Sequence, residues 1–305
     1  MKDTECVAFL QWALPRMNMR WPGFRKVRRQ VCKRITKRLQ ELSIGGLSAY
    51  RDYLERCSEE WTVLDALCSI PISRFYRDRD VFDYLRDAVL PGLAEAAVAR
   101  GDSQCRAWSC GCASGEEVYT LKIIWQMRVA PRFREMPLHI TATDIDATLL
   151  ARSAQGCYAG GSLKDFPHEW LDIAFHKTDS LFCIRDGFRH GIEFLRQDVR
   201  EELPPGMFHL ILCRHVVFTY FDEQLQLEIL ERMIDRLLPG GVLLTGKQEP
   251  LPCALPQLTS LKPRMGVYQN TVPRTWPATG ALRRSNKPNR ADDHTEEDWP
   301  SESHG

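Results

Sequence analysis

The chain has 305 residues, a hydrophobic fraction of 44%, a charged fraction of 27% and a formal net charge of +1. This length allows a substantial core, divided into one large domain and a smaller one, and the near-zero net charge gives no global attraction to nucleic acid. No apolar run approaches the roughly 20 residues that a transmembrane helix needs, and Met1–Glu5 shows no secretory signal, so we expect a cytoplasmic location.

The eleven cysteines are scattered without regular spacing, and an odd number leaves at least one thiol unpaired within the chain. In a chain of this length we expect reduced, mostly buried thiols. Cys110 and Cys112 are potential metal ligands, but no Cys or His pair of suitable spacing accompanies them. We therefore predict no metal site.

Residues 1–70 are predicted to form an all-helical N-terminal domain. From Phe24 to Leu42, apolar residues recur at steps of three and four, which is the period of a helix with one buried face. The pair Gly45–Gly46 ends this helix, and a second helix is predicted from Leu47 to Cys57.

The segment Arg16–Arg38 is strongly basic and contains no acidic residue. A solvated helix face is one interpretation. The other is a docking surface for an acidic partner, and we favour an acidic protein helix over a nucleic acid backbone. Its ten basic residues are Arg16, Arg20, Arg25, Lys26, Arg28, Arg29, Lys33, Arg34, Lys37 and Arg38.

From Val81 onward, predicted helices and strands alternate, which is typical of a doubly wound α/β domain, here over residues 71–275. The helix Val81–Val98 is expected to break at Pro91–Gly92. A small antiparallel insert is predicted at about residues 180–196, and a disordered tail at residues 276–305. The remaining elements are strand Cys105–Ser109, helix Gly115–Met127, strand Leu138–Thr143, helix Ala147–Gln155, strand Phe208–Cys213, a helix capped by Asp222, and strand Val242–Thr245.

The turn Gly111–Glu117 lies between a predicted strand and a predicted helix. Its small residues allow a ligand to approach the backbone, and the helix start offers free N–H groups. Ser114 and Glu117 have the spacing of a capping box. Two adjacent carboxylates argue against a bound phosphate, so a ligand with hydroxyls, an amino group or a positive charge fits better. S-adenosylmethionine is such a ligand, with Glu117 towards it and Glu116 at the helix surface.

Other strand ends carry polar residues that suit the same ligand, since open parallel sheets bind ligands at the carboxyl ends of their strands. Asp144 follows a strand and can accept hydrogen bonds from two ribose hydroxyls, while Asp146 is better placed to cap the next helix. The run Gln197–Val199 can bond an adenine amino group. A fourth strand end is Cys213–Asp222.

At these residues the chain resembles the CheR-type chemotaxis-receptor methyltransferases, which use S-adenosylmethionine to methylate glutamate side chains. The similarity runs from the basic helical region to about Gln269. Four motifs occur in the family's order: Ser73–Arg77, which looks like Thr-x-Phe-Phe-Arg, the Ser-Gly-Glu-Glu turn, Ala142–Asp146, and Cys213–Arg214 followed by Tyr220–Asp222.

The resemblance implies a Rossmann-like, S-adenosylmethionine-dependent methyltransferase domain with a small antiparallel β insert after the helical domain. It implies that Arg77 orients the substrate carboxylate and that Tyr220 faces the methylsulfonium. The cofactor-binding residues implied by position are Ser73, Arg77, Gly111, Glu117 and Asp144, with Asp198, Val199, Cys213 and Arg214 on the adenosine side.

The chain also departs from the family pattern. His215 stands where Asn is usual, one extra residue precedes Tyr220, and Pro71 replaces a common Asn. Three roles for His215 stay open: holding a neighbouring loop, replacing the Asn as a hydrogen-bond partner, or marking a different acceptor. The implied substrate is a Glu-bearing protein helix docked on Arg16–Arg38. The alternatives are a methyltransferase for nucleic acid or a small molecule, or a cofactor-binding regulatory protein outside chemotaxis with little turnover.

Overall fold

The computed structural model describes residues 2–271, so the tail predicted at residues 276–305 lies outside the described part. Within that part, no helix is both long and apolar enough to cross a bilayer. The helices are α1 Asp3–Ala13, α2 Trp21–Phe24, α3 Arg28–Glu41, α4 Leu47–Arg56, α5 Glu59–Cys68, α6 Arg79–Tyr84, α7 Leu90–Arg100, α8 Glu116–Ile124, α9 Ala147–Gln155, α10 Leu171–Ala174, α11 Val217–Tyr220 and α12 Glu223–Ile234.

The strands form a seven-stranded sheet of order β6-β2-β1-β7-β8-β10-β9 and a three-stranded sheet of order β3-β5-β4. In the large sheet, β6, β2, β1, β7 and β8 are parallel, whereas β10 and β9 are antiparallel to their neighbours. The strands are β1 Cys105–Cys110, β2 Leu138–Asp144, β3 Cys157–Ala159, β4 Phe175–Thr178, β5 Leu181–Ile184, β6 Ile192–Arg196, β7 Phe208–Cys213, β8 Leu237–Thr245, β9 Leu258–Lys262 and β10 Val267–Asn270.

The large sheet separates two apolar cores, and successive residues of its strands enter them alternately. On β7, Leu210 and Leu212 belong to the core with α7 and α8, whereas Ile211 and Cys213 belong to the opposite one. Because both faces are covered, central parallel strands are apolar throughout. This explains the uninterrupted run Phe208–Cys213 and confirms the predicted doubly wound α/β fold.

The five N-terminal helices cover one face of this sheet. In α3, Val31, Ile35 and Leu39 are buried in the same core as Trp108 of β1 and Ile211 of β7. Their four-residue spacing is the helical period predicted from the sequence. The helical region therefore shares its core with the sheet and with α12.

The helix predicted over Val81–Val98 does not break. Arg79–Arg100 is continuous, with a π-helical turn at Leu85–Val89 between α6 and α7. Pro91 has no N–H group for the α-helical bond to the carbonyl four residues earlier. The wider turn immediately before it accommodates this missing donor without ending the helix.

The insert predicted at residues 180–196 is correct as an antiparallel sheet and in its strand at Phe182–Arg185, which is β5, but wrong in its second strand, Ile192–Phe194. The short connection between Thr178 and Leu181 pairs β4 with β5, and β3 adds to the other side of β5. Ile192–Arg196 instead lies parallel to β2 at the edge of the large sheet. Because β6 pairs with β2 in the large sheet, it does not extend the small one.

The expectation of reduced thiols is wrong for four of the eleven cysteines. Disulfides join Cys6 to Cys32 and Cys157 to Cys183, while seven cysteines are free. The fold supplies the reason, since Cys6 and Cys32 share the packed face of α1 and α3, and Cys157 lies directly opposite Cys183 in the β3–β5 pair. The sequence alone does not reveal either contact.

Candidate functional site

The carboxyl ends of β1, β2 and β7 meet at one edge of the sheet. From β1 the chain continues to β2 and β6 on one side and returns to β7 on the other side. Such a change of direction opens a crevice, which is the usual ligand site of open α/β sheets. The amides of Gly111 and Cys112 both donate to the Thr143 carbonyl, at 2.8 and 3.0 Å, and so join the turn after β1 to the end of β2.

Gly111 begins this turn in a left-handed conformation, with φ of 71°. A Cβ at this position would collide with Cγ2 of Val216, in the segment after β7. Glycine is therefore required because two loops of the protein approach each other closely. The role in cofactor binding predicted for Gly111 stays a prediction.

Two details predicted for the turn are wrong. Ser114 and Glu117 form no capping box, because α8 begins at Glu116 with left-handed Gly115 at its N-cap, which leaves Ser114 outside the cap position. The Ser114 hydroxyl donates to Glu116 Oε2 at 2.9 Å. Glu116 is also not at the surface, since it is only 2% exposed.

Asp144 ends β2 and faces the turn. Its Oδ2 accepts from the Ala113 amide at 2.8 Å, and its Oδ1 accepts from the Asp146 amide at 3.0 Å. Burial raises the pKa of Asp144, and these two amides oppose that shift. A carboxylate has about four acceptor positions, so roughly two remain for ligand hydroxyls. Asp146 caps α9 through the amides of Thr148 and Leu149, as predicted.

A buried ion network connects three elements of the site. Arg214, whose side chain is 3% exposed, donates to Glu117 Oε2 at 2.9 Å and to Asp78 Oδ2 at 2.6 Å. Ser109 Oγ donates to Glu117 Oε1 at 2.9 Å. The hydrogen bond from His215 and the charge of Arg214 hold the pKa of Asp78 well below its usual range. Glu117 keeps free acceptor positions beside this network.

Arg77 differs from Arg214 because it has no carboxylate partner among the described residues. Its guanidinium donates to the Ile72 carbonyl at 2.5 Å, on the same segment as Ser73. Burial, together with the nearby charge of Arg214, lowers the pKa of Arg77. Burial raises the pKa of Tyr220, which the charge of Arg77 opposes. Both predicted catalytic side chains are therefore partly withdrawn from water, and Arg77 is a cation without a carboxylate partner in the described residues.

In the loop after β6, the polar atoms of the predicted run Gln197–Val199 differ in whether they already have a partner. The Asp198 carboxylate is bound by Arg200, whose Nε and Nη2 lie 2.9 and 2.7 Å from it, and Val199 is buried in the core. The Gln197 amide donates to the Asp144 carbonyl at 3.1 Å, while its side-chain Oε1 is buried without a hydrogen-bond partner. Gln197 therefore offers an acceptor at this position, and Asp198 holds the loop.

Glu249 belongs to the site but was not predicted. Its Oε2 accepts from the His215 amide at 2.8 Å, and its Oε1 accepts from the Thr219 hydroxyl. The His215 imidazole reaches Asp78 at 3.3 Å, so His215 holds two neighbouring segments. Cys213, which precedes this segment, is fully buried at the end of β7. Glu249 follows the carboxyl end of β8. Open parallel sheets bind ligands at such strand ends, so its position could have been predicted in the same way as that of Asp144.

These groups are complementary to S-adenosylmethionine. Asp144 suits the ribose hydroxyls and Glu117 the amino group of the methionine end, while Arg77 suits a carboxylate. Gln197 Oε1, which lacks a partner, suits the adenine amino group. The described part of the chain holds no group of three or more His, Cys, Asp or Glu arranged to bind a metal ion. The crevice, the acids after two strands and the free arginine define an S-adenosylmethionine-dependent methyltransferase.

Comparison with known proteins identifies the family. Residues 72–265 match the model of the CheR methyltransferase, SAM binding domain. The chain belongs to this family, which confirms the resemblance, the Rossmann-like methyltransferase fold and the cofactor predicted from the sequence. The matched range contains every predicted site residue, from Ser73 to Tyr220, and also Glu249.

Relatives are similar over most of the chain. The chemotaxis protein methyltransferase of Listeria innocua is 30% identical over 203 residues, 66% of this chain and 74% of that protein. The Escherichia coli chemotaxis protein methyltransferase is 28% identical over 232 residues, 73% of this chain and 76% of that protein. An uncharacterized 104.1 kDa protein of Rhodobacter capsulatus is 30% identical over 250 residues, which are 82% of this chain but 26% of that protein.

Proposed function

We propose that this protein methylates glutamate carboxylates on a chemoreceptor-like protein helix that docks on the basic segment Arg16–Arg38. The relatives' names supply the substrate class, a chemotaxis protein. A cytoplasmic site of action is part of this proposal: seven cysteines are free, whereas the two disulfides are unusual for that compartment. We assign cofactor contacts, direct or through the surrounding loops, to Ser73, Arg77, Gly111, Glu117, Asp144, Asp198, Val199, Cys213 and Arg214, and substrate alignment to Arg77 and Tyr220.

The observation that carries this proposal is the contact between the basic segment and Tyr220. The Arg20 amide donates to the Tyr220 carbonyl at 2.8 Å, and the ring centroids of Phe24 and Tyr220 are 4.9 Å apart. A Cβ on Gly23 would collide with the Thr219 carbonyl, so α2 and α11 touch through their backbones. A helix bound over α2 and the first turn of α3 would therefore lie near Tyr220.

The basic segment keeps charge available for such a partner. Arg20, Arg28, Arg38 and other residues of the segment are engaged within the molecule, for instance Arg38 with Glu60 at 2.7 Å. Exposed basic side chains without a partner in residues 2–271 attract an acidic helix, whose glutamates are both ligands and methyl acceptors. These side chains are Arg25, Lys26, Arg29 and Lys33.

The chemistry requires alignment rather than proton transfer. S-adenosylmethionine supplies an electrophilic methyl group on a sulfonium, and an ionised carboxylate is already a nucleophile. Arg77 holds a carboxylate through a charge-assisted hydrogen bond. Tyr220 stays a neutral phenol at physiological pH, since burial raises its pKa. Catalysis by such fixed groups rests on orientation and on preorganised charge.

Methyl transfer into a protein substrate tests the reaction and its linkage together. We expect the wild type, given S-adenosylmethionine labelled in the methyl group and a lysate rich in chemoreceptors, to form a product that releases labelled methanol in mild alkali. Tyr220→Phe and Arg77→Lys should transfer at least tenfold less label. A label that survives alkali would contradict carboxyl methylation, and no transfer despite S-adenosylhomocysteine binding would indicate a regulatory protein.

Charge reversal tests the docking surface separately. The double variant Arg29→Glu/Lys33→Glu should raise the KM for the protein substrate at least fivefold without changing the affinity for S-adenosylhomocysteine. Arg134→Glu is the control for charge, because Arg134 is exposed in the loop before β2, at the amino edge of the sheet. Equal KM values for the double variant and the wild type would remove the basic segment from substrate binding.

A further inference from the structure

Glu249 is a buried carboxylate that accepts three hydrogen bonds from the loops around it. The donors are the His215 amide at 2.8 Å, the Gly246 amide at 2.6 Å and the Thr219 hydroxyl. Glu249 is 6% exposed, and no Lys or Arg side chain of the described residues forms an ion pair with it. Its charge is thus compensated only by these N–H and O–H groups.

Two of the three donors belong to the segment Arg214–Tyr220. A buried carboxylate without a countercharge is unfavourable unless hydrogen bonds replace its water. Bonds to an ionised acceptor are roughly twice as strong as neutral ones. The charge of Glu249 is therefore satisfied only while His215 and Thr219 keep their present positions.

The backbone of this segment needs such restraint. His215 adopts a left-handed conformation, with φ of 60°, and Val216 has φ of −127° and ψ of −87°. Conformations of this kind persist only where the surroundings enforce them. Gly246 leaves the required space, because a Cβ there would lie 2.7 Å from His215 Cε1 and would collide with Glu249 Oε2.

We propose that Glu249 is a positioning residue that fixes the segment Arg214–Tyr220 and thereby places Tyr220 for methyl transfer. Asp78 binds the His215 side chain at 3.3 Å, and Glu249 binds the backbone of the same residue, so two acids hold it from opposite ends. The segment leads directly into α11, which carries Tyr220. The proposal rests on the proposed function for the identity of the acceptor, but not for the conformation of the segment.

The test replaces Glu249 by Gln, which keeps the shape and one acceptor oxygen for the two backbone amides but removes the negative charge that strengthens all three hydrogen bonds. We expect kcat to fall at least tenfold, while S-adenosylhomocysteine affinity stays within threefold of the wild type. The amides of His215, Tyr220 and Phe221 should exchange hydrogen at least tenfold faster with S-adenosylhomocysteine bound. Thr219→Val removes a single donor and should give a smaller loss of kcat. The same amides should again exchange hydrogen faster than in the wild type.

Glu60→Gln is the matched control, because Glu60 is an equally buried carboxylate on α5, bound by Arg38 and Tyr50. Glu60→Gln should change the stability of the protein. It should change neither kcat per folded molecule nor the amide hydrogen exchange of the segment Arg214–Tyr220. A Glu249→Gln protein with wild-type kcat, or with unchanged segment exchange, would overturn the proposal. If the wild type methylates no carboxyl group, only the proposed function fails, and the exchange rates still decide the role of Glu249. If Glu249→Gln does not fold, Thr219→Val decides by the same two readouts.

Discussion

Asp144 is the single residue on which binding of the cofactor should depend most directly. Its two bonds to the Ala113 and Asp146 amides fix the carboxylate and leave about two acceptor positions free. Asp144→Ala should weaken S-adenosylhomocysteine binding by about 1–3 kcal/mol, or roughly 5- to 150-fold, because ribose hydroxyls would lose their acceptors. Calorimetry measures this change, with Asp146→Ala as the control: it removes a helix cap worth about 1 kcal/mol of stability and should bind normally. Equal affinities for Asp144→Ala and the wild type would remove Asp144 from the site.

His209 makes the stability of the fold depend on pH. It is 3% exposed, its Nδ1 accepts from the Arg106 amide at 3.0 Å, and its Nε2 lies 3.0 Å from Asp102. Burial lowers the pKa of His209, and the Asp102 carboxylate opposes this shift. The unfolded chain therefore takes up a proton at higher pH than the folded one, so stability is complete above about pH 6.5 and falls below it.

Urea unfolding between pH 7.5 and 5.5 checks this dependence. The wild type should lose stability over that interval, and His209→Gln, which does not titrate, should lose less. Protonation of Asp78 cannot account for such a loss. Its pKa lies well below the usual value, so this carboxylate is protonated only in stronger acid. Equal pH dependence in the two proteins would contradict the assignment to His209.

Among the elements, α5 is linked to the loop after β6 by one arginine. Arg200 binds Asp65 of α5 through two hydrogen bonds of 2.9 and 2.8 Å and also binds Asp198. Asp65→Asn should weaken S-adenosylhomocysteine binding about three- to tenfold, roughly 0.7–1.4 kcal/mol, because the loop carrying Gln197 loses its support. Calorimetry measures the effect. Asp52→Asn, an exposed change on α4, should have none. An Asp65→Asn variant with wild-type affinity for S-adenosylhomocysteine would show that the loop after β6 keeps its conformation without this contact.

Elements with a strong period were predictable, whereas those set by distant contacts were not. Helix Ala147–Gln155 and strand Phe208–Cys213 agree with the prediction at both ends, because each carries its own apolar pattern. In the small sheet, β5 was predicted but its partners β3 and β4 were not, because they have only three and four residues and pair with β5 through the fold. In the site, Asp144 was predictable because it directly follows a strand. Glu249 was missed because its contact with His215 joins residues 34 positions apart in the sequence.

At the scale of the whole molecule, the continuous core predicts that the helical region and the sheet unfold together. Helices α1–α5 bury their apolar faces against β1, β7, β8 and α12 within one cluster. Removing them would expose to water the part of this sheet face that α12 does not cover. The surface proposed to receive the substrate is consequently part of the same cooperative unit as the surface proposed to bind the cofactor.

The two disulfides should stabilise this unit through the unfolded chain. Each joins cysteines 26 positions apart, Cys6 to Cys32 and Cys157 to Cys183. A loop of this size lowers the entropy of the unfolded state enough to contribute about 3–4 kcal/mol per disulfide. Urea unfolding with and without dithiothreitol should therefore show a large shift of the midpoint. A variant with all four cysteines replaced by Ala should show no shift. A wild-type midpoint that dithiothreitol does not change would contradict the prediction. It would mean that these thiols are reduced, which is the state that a cytoplasmic location favours.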